Sequence, residues 1–123
     1  SVLKARGILE KTYLFSGKLH AVIGRSWKNR VKGRDLYDYI FYLSKGTKVN
    51  LRHLRERLIQ SGHIETEQDF FLDDMKHMLH DRFEQIDFQQ AKEDVAPFVR
   101  DSLALNLWNK DFFQQITENI QAI

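Results

Sequence analysis

FSGKLHAVIGRSWKNRVKGRDLYDYIFYLSKG, residues 15–46, is the stretch whose periodicity sets the fold. In its second half Leu36, Ile40 and Leu43 recur at i, i+4 and i+7, which lines one face of a helix, and Gly46 stands where a helix C-cap belongs. In its first half Phe15, Leu19, Val22 and Ile23, together with Leu14, predict a helix over about 11–24, with Ser16 and Gly17 as its interior weak point. Between them, residues 25–34 carry five basic side chains and no acidic one, with Gly33 as a turn point. That segment reads as a loop leading into the second helix.

Outward from this block the same signals continue. Residues 1–9 (SVLKARGIL) alternate weakly and include Gly7, which reads as a short strand or an extended arm. Asn50 is a plausible N-cap for a helix carrying Leu51, Leu54 and Leu58 that ends near Ser61 and Gly62. Thr66 is placed to cap a long helix through Phe70, Phe71, Met75, Leu79 and Phe83. Asp87 would cap another through Val95, stopped by Pro97, and a last helix over about 110–120 would bury Phe112, Phe113, Ile116 and Ile120. Trp108 reads as core. The expected fold is mostly α, one multi-helical domain over 1–123 with short connections and no internal repeat.

Composition fits a globular domain with a real core: 42% of residues are hydrophobic and 12% aromatic, with a single proline. The absence of cysteine excludes a disulfide framework, a thiolate zinc site and a cysteine nucleophile, and fits a reducing, cytoplasmic setting. No run is apolar and long enough to span a bilayer, so no membrane partner is expected. The net charge of +2 conceals a division, because residues 1–58 carry +10 and residues 59–123 carry −8. Either the two halves pack so that their fields partly cancel, or the basic half keeps a face for an anionic partner.

Within residues 18–38 the cations come first and the carboxylates follow. Lys18, Arg25, Lys28, Arg30, Lys32 and Arg34 precede Asp35 and Asp38, which lie three apart near the start of a helix and so on roughly one face. Two explanations fit: acidic residues favoured by the helix dipole beside a solvated loop, or a site in which Lys and Arg hold phosphate oxygens while a nearby carboxylate orients a metal, a water or a basic side chain. The second arrangement suits phosphoryl or nucleotidyl transfer, where catalysis is largely positioning and charge stabilisation.

The phrases KLHA (18–21) and KGRDLYD (32–38), with VNLRHLRERLIQSGH (49–63), IDFQQAKEDVAPFVRD (86–101) and LWNKDFF (107–113), are specific. Together they resemble the AbiEii/AbiGii family of nucleotidyltransferase-like toxins of bacterial abortive-infection systems. The resemblance implies a DNA-polymerase-β-like core that transfers a nucleotide from a nucleoside triphosphate with Mg2+. It implies Lys18 and Arg34 as nucleotide contacts and Asp35, then Asp38, as the functional carboxylates. Arg25, Lys28, Arg30 and Lys32 remain phosphate or nucleic-acid candidates on charge alone. The implied partners are the triphosphate, an RNA acceptor resembling tRNA, and a cognate antitoxin.

One departure matters. The family places its metal-binding carboxylates in an earlier glycine-serine segment followed by paired aspartates, whereas no aspartate precedes Asp35 here. The expectation is therefore the C-terminal part of a longer protein, with no metal site of its own, no tight cofactor binding and no activity alone. A non-catalytic helical module that binds nucleic acid or a protein partner is the alternative, and a purely structural block fastened by Arg34 to carboxylates is the third reading.

Other candidates are weaker. His77 and His80, near Asp73, Asp74 and Asp81, have no fixed metal-ligand motif and read as a solvated helix face. His20 reads as a packed or hydrogen-bonded histidine rather than a general base. Tyr37, Tyr39, Phe41 and Tyr42 invite a stacking platform for bases beside the basic loop, but they share a helix with Leu36, Ile40 and Leu43, so most of them read as core or core-rim. Helical spacing singles out Tyr39 and Tyr42 as closest to the aspartates, and Trp27 is the candidate exposed aromatic of the basic loop.

Overall fold

The computed structural model describes residues 2–25 and 32–123. Six α-helices account for most of them: α1 (Val2–Gly24), α2 (Gly33–Ser44), α3 (Leu51–Gln60), α4 (Leu72–Gln85), α5 (Phe88–Val95) and α6 (Lys110–Thr117), with 3-10 turns at Ala96–Phe98 and Ser102–Leu107. Among the described residues there is no β-strand, only one parallel bridge between Val49 and Ala122 that ties the C-terminus to the α2–α3 connection. None of these helices is long and apolar enough to cross a membrane.

The strand or arm expected at residues 1–9 is instead, from Val2 onward, the first part of α1. The weak point at Ser16 and Gly17 does not break this helix, because both residues are used. The Ser16 hydroxyl donates to the Thr12 carbonyl (3.1 Å), and Asn50 N–H donates back to Ser16 Oγ (3.3 Å). Gly17 leaves room for α3, since a Cβ there would lie 2.7 Å from the Arg57 guanidinium. Phe15, Leu19, Val22 and Ile23 form the buried stripe, whereas Leu14 points outward.

Helix boundaries follow local chemistry. Asn50 Oδ1 accepts from His53 N–H, Asp87 from Gln90 and Asn109 from Phe112, so α3, α5 and α6 each start on a side-chain cap. The start expected at Thr66 moves to Leu72. Asp74 accepts the Phe71 N–H at 2.8 Å and fixes the first turn there, while Arg55 of α3 draws off the Thr66 carbonyl at 2.6 Å. Gly46 and Gly62, at φ 66° and 78°, follow α2 and α3 in the left-handed conformation that glycine adopts without strain.

Packing centres on Tyr39, Phe83 and Phe113, each almost wholly buried, with Phe15 and Trp108 against them. Thr117 donates its hydroxyl to the Phe113 carbonyl, so the Tyr39 phenol donates to Thr117 Oγ1 at 2.5 Å, and burial pushes that phenol's pKa up. Tyr39, singled out for a functional role by spacing, is therefore a core residue. Tyr42 stacks on Phe15 and is taken up in the same way.

Gly33 is not a turn. It is the first residue of α2 and the point where α2 meets α5, where a Cβ would sit 2.2 Å from the Ala91 carbonyl oxygen. Gly33→Ala should force the two helices apart and cost roughly 1–3 kcal/mol. Gly7→Ala, at a helical position with nothing within 4 Å, should instead stabilise by about 0.5–1 kcal/mol. Thermal melts of both variants check this, and an unchanged melting temperature for Gly33→Ala would contradict the contact.

Candidate functional site

Asp35 lies in the first turn of α2 and is only 6% exposed. Its Oδ1 accepts a hydrogen bond from Lys18 Nζ of α1 and its Oδ2 one from Arg25, just past the end of α1, both at 2.8 Å. Lys18 also reaches Asp38 Oδ2 at 3.0 Å, one turn further along α2. Burial lowers the pKa of the Lys18 ammonium, but the hydrogen bonds and charges of Asp35 and Asp38 outweigh it, and the net shift is upward. Lys18 and Arg25 are thus ordered by carboxylates from the same basic half of the chain.

Two residues remote in sequence hold this arrangement. Arg82 of α4 donates from Nε (3.2 Å) and Nη2 (2.6 Å) to the Ile23 carbonyl, tying down the end of α1 from which Arg25 projects. Asp94 of α5 accepts the Gly33 N–H at 2.9 Å, satisfying an amide at the start of α2 that has no partner within its own helix. The close approach at Gly33 allows that bond.

Between α1, α2 and α5 opens a cleft of about 730 Å³, a size that accommodates a nucleotide. Lys18, Arg25, Lys32, Arg34, Asp35 and Asp38 all line it. Six of the eight sequence candidates are thereby brought together. Lys28 and Arg30, like Trp27, lie outside the described residues. Arg34 departs from the structural reading that paired it with a carboxylate to fasten helices: its guanidinium lies 4.5 Å from the centre of the Phe98 ring. Fastening falls to Lys18 and Arg25.

Sequence reasoning missed Asp94, Phe98 and Arg82, and among the α2 aromatics it singled out Tyr39 and Tyr42 instead of Tyr37. Tyr37, rather than Tyr39 or Tyr42, is the α2 aromatic at the cleft, because i and i+3 share a face and Arg34 is already there. Asp94 and Phe98 also line it. Their only signal was membership of the phrase at 86–101, since nothing in their spacing links them to residues 33–35.

The other candidates go elsewhere. His20 Nε2 lies 3.0 Å from Ser61 Oγ, which in turn lies 2.7 Å from His63 Nδ1. Burial, with the Arg57 and His63 charges, lowers the His20 pKa, in keeping with a hydrogen-bonded packing residue. His77 faces Asp81 and His80 faces Glu118. Among the described residues no group of three or more His, Asp or Glu side chains could hold a metal ion. The Mg2+ implied by the resemblance does not fit Asp35, whose two oxygens are each committed to a cation.

The ion-pair geometry sets an order of effects. Asp35→Asn should cost roughly 1–3 kcal/mol, because it removes a nearly buried charge between two cations, whereas Asp38→Asn, at a half-exposed group, should cost under about 1 kcal/mol. Because the Lys18 pKa is raised on folding, its share of stability is complete below the ordinary lysine pKa and is lost as pH rises through the raised value. Urea denaturation of both variants checks the order, and equal costs would contradict it.

A cleft whose cations are pre-arranged by a buried carboxylate suits a phosphate ester, and comparison with known proteins agrees with that chemistry. The family model described as nucleotidyl transferase AbiEii toxin, type IV TA system, matches residues 9–118. No curated protein and no solved structure gives a significant match. The matched span contains every described cleft residue, and the chain belongs to the AbiEii family of nucleotidyl transferase toxins of type IV toxin–antitoxin systems.

Proposed function

We propose that residues 1–123 form one helical unit that supplies the triphosphate-facing wall of a nucleotidyltransferase toxin. The observation that carries this reading is Asp35 holding Lys18 and Arg25 side by side at an open cleft. In nucleotidyl transfer an acceptor oxygen bonds to the α-phosphorus while the bond to the β-phosphate oxygen breaks, and negative charge gathers on the leaving pyrophosphate. Lys18 and Arg25 are proposed to neutralise that charge, with Lys32 adding to the field and Arg34 contacting the nucleotide.

Asp35 is then the functional carboxylate through its hold on both cations, and Asp38 the second through Lys18. Neither is proposed as a metal ligand. The carboxylates that hold the metal would belong to a longer protein of which this stretch is the C-terminal part, since residues 1–34 contain no aspartate and only one glutamate. An RNA resembling tRNA is the proposed acceptor and a cognate antitoxin the proposed protein partner. The site would work in the cytoplasm as part of a defence against phage.

The test is nucleotide incorporation into RNA from labelled triphosphates with magnesium. The 123-residue chain alone should give none, and a protein extended upstream should be active. In the extended protein Lys18→Met should lower the rate by roughly 10²–10³-fold, the range for loss of one preorganised charge-stabilising group. Robust turnover by the short chain, or full activity of extended Lys18→Met, would contradict the proposal.

A further inference from the structure

Part of the cleft lining is not built for phosphate. Lys18 and Arg25 are gathered around Asp35, but Arg34 has its guanidinium over the ring of Phe98, 4.5 Å from the centroid. Phe98 is 66% exposed and Tyr37, one turn along α2 from Arg34, is 44% exposed. Both line the same cleft as the cations. Exposed aromatic surface costs free energy in water, and here it is concentrated beside a phosphate-type site.

The scaffold positions this surface with some care. Phe98 closes the 3-10 turn that follows α5, and α5 is held against α2 by the contact at Gly33 and by the Asp94 hydrogen bond. Pro97 prevents α5 from continuing as a regular helix, so Phe98 leaves its axis. A guanidinium is planar and can stack on an aromatic face or on a base, which a lysine ammonium cannot do.

We infer that Arg34, with its guanidinium over the Phe98 ring, and the neighbouring Tyr37 form the subsite for the nucleobase of the incoming nucleoside triphosphate, with Lys18 and Arg25 taking its phosphates. This rests on the triphosphate-wall reading above and assigns the opposite end of the same ligand. Stacking on planar groups is tolerant of base identity, so the subsite selects nucleotides over bare polyphosphates more strongly than it selects among bases.

The experiment compares binding of a nucleoside triphosphate, of inorganic tripolyphosphate and of a short oligoribonucleotide to the 123-residue chain in metal-free buffer, by calorimetric titration. Melting curves of each variant verify folding. Phe98→Ala and Arg34→Lys should each weaken the nucleoside triphosphate by about tenfold or more and leave tripolyphosphate within about twofold. Lys18→Met should weaken both ligands. If Phe98→Ala and Arg34→Lys change neither ligand, or change both alike, while Lys18→Met still weakens both, the nucleobase subsite is wrong and the phosphate wall stands. Loss of oligoribonucleotide binding with triphosphate binding intact would also overturn it, assigning the surface to the acceptor strand. Only weak binding is expected of this stretch, so the titrations run to about 10 mM ligand; if the unaltered chain binds neither the triphosphate nor tripolyphosphate even there, the phosphate-wall reading fails and this inference with it.

Discussion

A carboxylate removed from water destabilises a fold unless its charge is met, and Asp35 is met twice, by Lys18 from α1 and by Arg25 from the end of that helix. That pairing is a three-point junction. It fixes the start of α2 against α1, it draws two cations to within hydrogen-bonding reach of one residue, and it leaves them facing an open cleft. Breaking it by removing one partner is costly for the reason it is informative: the group left behind keeps its charge and loses its counterion.

The rest of the helical assembly can be traced from this junction. Gly33 has no side chain because α2 must approach the Ala91 backbone, and that approach lets Asp94 accept the Gly33 amide. Arg82 reaches across from α4 to the Ile23 carbonyl and so steadies the segment carrying Arg25. Tyr39, four residues after Asp35 on α2, is sunk into the aromatic core and bonded to Thr117, which ties the site helix to α6. Core and cleft are two faces of one helix.

Periodicity made the helical character, the buried stripe of α1, the extent of α2 and the caps at Asn50 and Asp87 legible, because each is written in residues three or four apart. What it did not convey was contact between distant segments. Residues 2–9 lack a strong apolar period, so their helix is visible only as an extension of the one that follows. Gly33 looked like a turn because the reason for its missing side chain, the Ala91 carbonyl, lies on another helix. The start of α4 slipped from Thr66 to Leu72 because the Asp74 carboxylate meets the Phe71 amide there. At the site, Lys18, Asp35 and Asp38 could be found from their phrases. Asp94 and Phe98 could not, because the α2–α5 packing that brings them in has no local signature. Tyr37 was within reach, since its helical spacing from Arg34 already placed it on that face.

The central claim is that Asp35 presents Lys18 and Arg25 as a preformed phosphate site. It is tested most directly by a crystal structure of the chain grown with inorganic tripolyphosphate. The account predicts phosphate oxygens within hydrogen-bonding distance of Lys18 Nζ and the Arg25 guanidinium, with Asp35 still holding both. Tripolyphosphate bound elsewhere, with the Asp35 cluster facing only solvent, would contradict it.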